Sequence, residues 1–206
     1  VSSYYLGNGQ PNQPLIDAKV ANLQKRVTCE DLPLANIVTS TVAAEAVAAY
    51  VDHLMDLDGD PVEDYDAIQR FSVGVIDVGG KTTDCAVVRP GMMVDVSRSG
   101  SNDIGLLMLE QALGSHLRTA LEVDAALSPT LIEGAMTKGK VRLYGKEHDV
   151  SEIVEREKKQ LADKIMSAVR TKIGSGADLE YVLFVGGGAL MLKDQLLTHF
   201  PHARVP

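Results

Sequence analysis

The segment that decides the fold is IDVGGKTTD, residues 76–84. Its first residues complete a nearly all-apolar run over residues 73–78, which is typical of a strand buried on both faces. A glycine turn follows, and the apolar pattern resumes over residues 84–88 as a second strand. Residues 92–96 offer a third strand. The segment therefore predicts a hairpin-like unit that begins with a buried strand.

The same segment carries candidate ligands for a metal ion and for phosphate. Asp77 leaves a buried strand, so its carboxylate is expected at the sheet edge. A carboxylate in that position can hold a hydrated Mg²⁺, because this ion prefers one or two carboxylates together with waters and substrate phosphates. The paired glycines let backbone N–H groups approach a phosphate, and the side chains that follow add charge and hydroxyl donors. An ordinary hairpin turn is the alternative reading of the segment taken alone. The residues expected to contact phosphate are Gly79, Gly80, Lys81, Thr82 and Thr83.

A second glycine-rich turn follows another predicted buried strand, YVLFV at residues 181–185, and precedes a short helix from about Leu190. Three glycines allow a planar base or sugar to lie against the backbone, and the N-terminus of the next helix favours anions. Packing alone also explains many such turns, and neither glycine segment has the spacing of a P-loop or a dinucleotide fingerprint. The residues of this candidate binding turn are Gly186, Gly187, Gly188 and Ala189.

Two long helices are predicted between the glycine segments. Leucines at every fourth position share one face of a helix that begins after Gly105. Apolar residues with helical spacing continue from Val154 to Ile173, where Ser151 is expected to cap the helix and Gly174 to end it. Strands followed by helices, then a strand and a helix, predict a mixed α/β domain.

The amino-terminal part has weaker patterns. Residues 16–26 form a basic amphipathic segment that ends near a predicted strand at about residues 27–28. Residues 36–39 are predicted to form a short strand that leads into an alanine-rich helix over residues 42–55. Residues 56–66 form an acidic loop, which is a natural boundary.

Composition limits the classes of function. The chain has 206 residues, 45% hydrophobic and 23% charged, and a formal net charge of -8. Because the chain is this acidic, it has no general electrostatic affinity for nucleic acid, and we expect no direct nucleic-acid contact. The apolar runs are shorter than a membrane span and no signal peptide is visible, so we expect no membrane contact. Cys29 and Cys85 are too few for a disulfide framework, and we expect reduced packing residues in a cytoplasmic protein.

The first glycine segment, residues 76–84, resembles the second phosphate loop of the superfamily of actin, sugar kinases and heat-shock chaperones. The second, residues 186–189, resembles the adenosine loop of the same superfamily. In that superfamily two RNase H-like domains close around ATP and magnesium. The resemblance implies that Asp77 positions Mg²⁺ or its water and that residues 79–83 contact the phosphates of ATP or ADP. It also implies that residues 186–189 line the adenosine site.

The chain resembles, more narrowly, the ParM/StbA family of actin-like ATPases that segregate bacterial plasmids. This resemblance implies Mg²⁺-dependent ATP hydrolysis coupled to growth of a head-to-tail homopolymer. It also implies an adaptor protein bound to centromere-like plasmid DNA as the partner of the filament. The residues that carry the resemblance are Tyr4-Tyr5, Gln10-Pro11-Asn12, Ile16, Lys19, Ala21-Asn22 and the loop Ser101-Asn102-Asp103-Ile104-Gly105.

Glu45 is the remaining catalytic candidate. The first connecting helix of the superfamily begins with a carboxylate or amide that orients the attacking water, and Glu45 matches if Ala46 stands where proline is usual. A solvent-facing glutamate on an alanine-rich helix is the alternative.

The resemblance also implies a domain organisation. Residues 1–55 are expected to be a remnant of the first actin-like domain plus the connecting helix, residues 56–70 a loop, and residues 71–206 the nucleotide-binding second domain. The superfamily's first phosphate loop has no counterpart before Val1. We therefore expect a fragment that binds ATP weakly and does not hydrolyse it measurably. Two other functions stay open: a sugar- or acetate-kinase-like enzyme of the same superfamily, and a non-catalytic actin-like scaffold.

Overall fold

The computed structural model describes residues 5–6, 10–25 and 37–206. Its helices are α1 (Gln13–Leu23), α2 (Glu45–His53), α3 (Tyr65–Ile68), α4 (Leu106–Ala120), α5 (Pro129–Lys138), α6 (Ser151–Ile173), α7 (Gly187–Met191) and α8 (Lys193–Leu196). Its strands are β1 (Val73–Val78), β2 (Thr83–Arg89), β3 (Met93–Asn102), β4 (Lys140–Leu143), β5 (Lys146–Asp149), β6 (Val182–Val185) and β7 (Ala203–Arg204). None of these helices is both long enough and apolar enough to cross a membrane.

Five strands form one mixed sheet in the order β3-β2-β1-β6-β7. The strands β1, β2 and β3 are antiparallel neighbours, whereas β6 is parallel to β1 and β7 is parallel to β6. Parallel neighbours end at the same edge of a sheet. The turns that follow β1 and β6 therefore lie beside each other, although they are far apart in the sequence.

The side chains of β1 alternate between the two faces of the sheet, and each face has its own hydrophobic core. Val73 and Val75 pack with α2 residues such as Tyr50, whereas Ile76 and Val78 pack with the buried faces of α4 and α6. Successive side chains of a strand point to opposite faces of the sheet. Asp77, two residues after Val75, therefore lies on the α2 face.

The leucine stripe is confirmed as the buried face of α4, with Leu109, Leu113 and Leu117 almost fully enclosed. The long second helix is confirmed as α6, and it ends at Gly174, which has a positive φ of 64°. The expected capping role of Ser151 is wrong, because Ser151 is the first helical residue. The N-cap position is Val150, and the Ser151 backbone N–H and hydroxyl both donate to Asp149 Oδ1, at 2.9 and 2.6 Å, so this carboxylate binds the first N–H group of the helix.

The predicted strand at residues 36–39 is wrong for the part that the structure describes. Residues 37–39 have no regular structure, and Val38 is 91% exposed. An isolated extended segment gains no ladder hydrogen bonds, and no described strand lies beside this one to supply them. The helix that follows is shorter than predicted and spans residues 45–53, and the amphipathic segment forms a helix over residues 13–23. Asn36, Cys29 and the strand predicted at residues 27–28 lie outside the described residues.

Three elements between α4 and α6 were not predicted: α5 and the hairpin of β4 and β5. Local signals mark both. Ser128 precedes Pro129 and its hydroxyl accepts from the Leu131 N–H, which is a helix start, and the left-handed Gly139 ends that helix. The hairpin turn is Tyr144-Gly145, and both residues have positive φ, as a two-residue turn of the favoured twist requires.

Candidate functional site

The two glycine turns predicted from the sequence meet at one sheet edge. Asp77 in β1 is in parallel register with Val185 in β6. β1 continues for one more residue, Val78, whereas β6 ends at Val185, so the two turns begin at nearly the same level of the sheet. Across the antiparallel pair, Asp77 is directly opposite Asp84 in β2. The carboxyl ends of parallel strands are where open α/β sheets bind ligands. The topology therefore places the hairpin turn, the second glycine turn and Asp77 in one region.

Asp77 lies directly against the second glycine turn. Gly186 has φ +86°, and a methyl group added there would overlap the Asp77 carboxylate and lie 2.7 Å from the Val78 carbonyl oxygen. A Cβ on Gly188 would lie 2.6 Å from that same carbonyl oxygen. Glycine at these two positions is therefore needed for the close approach of the end of β1 to the start of α7.

The remaining residues of this turn have different surroundings. A Cβ on Gly187 would meet nothing within 4 Å, so this glycine borders open space. Ala189 is completely buried in the core beneath α7, so its side chain faces away from that space. Within the predicted adenosine segment, the backbone around Gly187 is thus the part that a ligand can approach.

Three carboxylates interact at the end of β1. Burial, together with the nearby charges of Glu45 and Asp84, raises the pKa of Asp77 above its ordinary value. Glu45 is the first residue of α2 and is exposed, and strand alternation places Asp77 and Asp84 on the sheet face that α2 covers. Mutual repulsion of these groups would be relieved by a cation.

A magnesium nucleotide fits this donor set better than a metal ion alone. Among the residues that the structure describes, no group of three or more His, Cys, Asp or Glu side chains is placed to hold a metal ion. Mg²⁺ needs only one or two carboxylates when waters and phosphates complete its octahedral shell. Asp77 at the edge of the sheet, beside a glycine turn with exposed backbone, meets that requirement.

The hairpin turn between β1 and β2 is held by hydrogen bonds of its own. The Gly79 N–H donates to the Thr82 carbonyl at 2.9 Å, and the Thr82 hydroxyl donates to Asp84 Oδ2 at 3.2 Å. Thr83 is buried, and its hydroxyl donates to the Ile104 carbonyl at 2.7 Å. Gly80 and Lys81 are the exposed residues of the turn. Of the five predicted phosphate contacts, these two are therefore on the open side and Thr83 is directed inward.

An open cleft of about 410 Å³ lies beside the second glycine turn on its α2 side. Its walls are largely apolar, with two titratable side chains from α2, Asp52 and His53. Burial, with a smaller effect of the Arg204 charge, lowers the pKa of His53, so this histidine is uncharged at neutral pH. The residues lining the cleft are Ala49, Asp52, His53, Phe184, Val185, Gly186, Leu190, Val205 and Pro206.

Sequence reasoning missed two contributors to this region. Asp84 was included in the first motif but was given no role in the site, although the pairing of β1 with β2 places it opposite Asp77. Gly105 was identified as the end of a family-like loop before a helix and was given no role in the site, yet a Cβ there would lie 2.5 Å from the Gly80 carbonyl oxygen. A glycine immediately before the leucine stripe was the available signal.

A mixed sheet with helices on both faces, and two glycine turns meeting beside a strand-end aspartate, are the features expected of an actin-like domain. The family described as "Archaeal actin homologue MreB-like, C-terminal" matches residues 75–198, more than half of the chain. The chain belongs to this family. The actin-like α/β fold predicted from the sequence is thereby confirmed.

Solved actin-like structures share this fold. A ParM filament of 15 strands from Clostridium botulinum superposes with a TM-score of 0.62 at 18% identity, over 70% of this chain and 45% of the other. The archaeal actin homologue Ta0583 in complex with ADP gives 0.60 at 22% identity, over 77% and 48%. Bacillus thuringiensis ParM with ATP gives 0.60 at 17% identity, over 79% and 48%. The likeness to ParM proteins is thus confirmed at the level of fold.

The chain spans less than half the length of these three structures. A search of curated proteins found no match.

Proposed function

We propose that this chain is the nucleotide-binding half of an ATP-dependent, filament-forming actin-like protein that segregates plasmid DNA. The observation that carries the proposal is the contact between the Asp77 carboxylate and the Gly186 turn, at the edge where the phosphate hairpin also ends. Similar folds in complexes with ADP and with ATP, and in a filament, support it.

The predicted site residues on the open side of the two turns have distinct roles in this proposal. Asp77 would hold Mg²⁺ or one of its waters, because it is a half-buried carboxylate whose ionised form a cation stabilises. Backbone N–H groups on the open side of the hairpin, at Gly80 and Lys81, would bind phosphate oxygens. The Gly186–Gly188 backbone would support the adenosine. When bound, Mg-ATP would supply the γ-phosphorus that water attacks, with ADP as the leaving group.

Glu45 would orient the attacking water. It begins α2 on the face where Asp77 also lies, and its charge acts on Asp77. An exposed carboxylate at this point can orient a water by accepting a hydrogen bond from it, whereas electrostatic stabilisation provides most of the rate in phosphoryl transfer. The division of the chain at residues 55 and 71, with α2 as a connecting helix, is part of the proposal.

Filament growth follows from the same arrangement. A nucleotide bound between two domains biases the angle between them, and hence the contacts between subunits. A head-to-tail interface does not close on itself and so gives an open filament. An adaptor protein on centromere-like DNA would connect this filament to the plasmid, since the acidic chain has no basic composition suited to direct DNA binding. The cytoplasm is the expected location.

The test compares Asp77→Ala with Asp66→Ala, an exposed carboxylate of α3, in the complete protein. We expect Asp77→Ala to lower Mg-dependent phosphate release by about a hundredfold or more, the range for loss of one electrostatic group at such a site. Light scattering should rise on ATP addition for wild type and Asp66→Ala only. Unchanged hydrolysis by Asp77→Ala would refute the role of Asp77. Wild-type hydrolysis without a rise in scattering would instead favour a small-molecule kinase.

A further inference from the structure

The start of α4 is hydrogen-bonded to the phosphate hairpin, the turn at residues 79–82 between β1 and β2. The first two N–H groups of α4 belong to Leu106 and Leu107, and they donate to the Gly79 and Gly80 carbonyls at 3.1 and 2.8 Å. These N–H groups have no partner within their own helix, as at any helix start. The hairpin carbonyls therefore accept hydrogen bonds from two N–H groups at the start of α4, and these bonds fix two peptide groups of the hairpin.

Fixing the two carbonyls also fixes two N–H groups. In a planar trans peptide the C=O of one residue and the N–H of the next point in opposite directions. Because the Gly79 and Gly80 carbonyls point at α4, the N–H groups of Gly80 and Lys81 point away from it. Both residues are exposed, and within the described part of the chain neither N–H has a protein acceptor. Two adjacent donors therefore face the open side of the turn together.

Gly105 makes this contact sterically possible. A Cβ at this position would lie 2.5 Å from the Gly80 carbonyl oxygen and 2.7 Å from the Gly79 carbonyl oxygen. Its backbone is extended, with φ −162° and ψ −176°, which any residue adopts without strain. The need for glycine here is thus one of space alone. Thr83 reinforces the contact from the hairpin, because its buried hydroxyl donates to the Ile104 carbonyl.

We propose that Gly105 is a positioning residue. By admitting the first turn of α4 against the hairpin, it orients the Gly80 and Lys81 N–H groups to bind the phosphate chain of a nucleotide. This role rests on the proposed function of the same site, and it assigns phosphate recognition to two particular amides. The Gly79 N–H is excluded from it because it already donates to the Thr82 carbonyl.

The first experiment needs no ligand. Amide hydrogen exchange, followed by NMR on the 206-residue chain, should show protection at Gly79, Leu106 and Leu107 and rapid exchange at Gly80 and Lys81. In Gly105→Ala the protection of Leu106 and Leu107 should be lost. Protected Gly80 and Lys81 amides, or unchanged protection in Gly105→Ala, would overturn the proposal.

The second experiment separates phosphate binding from adenosine binding. Titration of the ¹⁵N-labelled chain with tripolyphosphate and MgCl₂ should shift the Gly80 and Lys81 amides and leave that of Gly79 nearly unchanged. Gly105→Ala should weaken tripolyphosphate binding at least about tenfold, since a hydrogen bond to a charged group changes affinity by about that factor. Binding of adenosine, through the Gly186–Gly188 turn, should be unchanged in this variant.

Two further variants guard against a general folding effect. Gly134→Ala in α5 is the matched control, because a Cβ there meets nothing within 4 Å, and it should bind like wild type. Thr83→Val keeps the side-chain volume, removes the hydrogen bond to the Ile104 carbonyl, and should weaken tripolyphosphate binding in the same direction as Gly105→Ala. Equal tripolyphosphate affinity of Gly105→Ala and Gly134→Ala would overturn the proposal. A complete protein that binds neither Mg-ATP nor adenosine would refute the proposed function, and the exchange experiment would still decide the role of Gly105.

Discussion

Gly186→Ala tests the contact on which the site depends. Gly186 has φ +86° and ψ 163°, a region that is essentially restricted to glycine. Holding alanine in such a conformation costs about 1–3 kcal/mol. The added methyl group would also overlap the Asp77 carboxylate and lie 2.7 Å from the Val78 carbonyl oxygen, and overpacking of this kind costs a further 1–3 kcal/mol, roughly.

The two effects together lower the free energy of unfolding by about 2–6 kcal/mol. For a chain of this size that corresponds to a decrease in Tm of roughly 5–20 °C. The neighbouring substitution, Gly187→Ala, is the control, because its φ is not positive and its Cβ meets nothing within 4 Å. It should change the free energy of unfolding by less than about 1 kcal/mol.

Urea unfolding followed by circular dichroism measures both variants, and the slope m should stay constant so that the midpoints report stability. A double-mutant cycle with Asp77→Ala isolates the contact with the carboxylate. Because the overlap with the Val78 carbonyl remains, Asp77→Ala should recover only part of the loss, with a coupling of about 1 kcal/mol. Equal stability of Gly186→Ala and Gly187→Ala, or no coupling to residue 77, would refute the placement of Asp77 against this turn.

Two further predictions concern charge and packing. Folding raises the Asp77 pKa, so the stability that its protonated form contributes is fully present below its ordinary value of 3.8 and is lost as pH rises through the raised pKa. Asp77→Asn should therefore stabilise the nucleotide-free chain more at pH 7 than at pH 3 in thermal unfolding, and an equal effect at both values would contradict this reasoning. Leu113→Ala, at a fully buried position of α4, should lower the free energy of unfolding by about 2–5 kcal/mol. Leu107→Ala, where the side chain is 46% exposed, should lower it by much less in the same urea titrations, and similar losses would argue against the buried face assigned to α4.

Local patterns predicted the elements with strong periodicity. The apolar runs became β1 and β6, and the apolar stripes became α4 and α6, because burial on one face or both imposes a spacing that a short window contains. The same reasoning failed at residues 37–39, where a strand-like composition has no neighbouring strand in the described structure. It also chose Ser151 as a cap when Asp149 was closer to the free N–H groups of α6.

The candidate site was predicted in its residues and only in part in its geometry. The resemblance to the superfamily named Asp77 and both glycine turns, and the structure places them together. It did not separate the exposed Gly80 and Lys81 from the inward-directed Thr83. That distinction depends on which peptide groups α4 contacts, and no local pattern contains it.

The sequence by itself determined the chemistry available to this protein: a strand-end carboxylate, two glycine turns, an acidic surface and the helices that cover the sheet. Only the tertiary structure decided that β6 lies parallel to β1, that Asp77, Asp84 and Glu45 interact across one face, and that Gly105 lies against the hairpin. The reason is physical. The spacing of apolar residues indicates which side of a helix or strand is buried. Strand register and the choice of neighbouring elements depend instead on packing between segments that are distant in the chain.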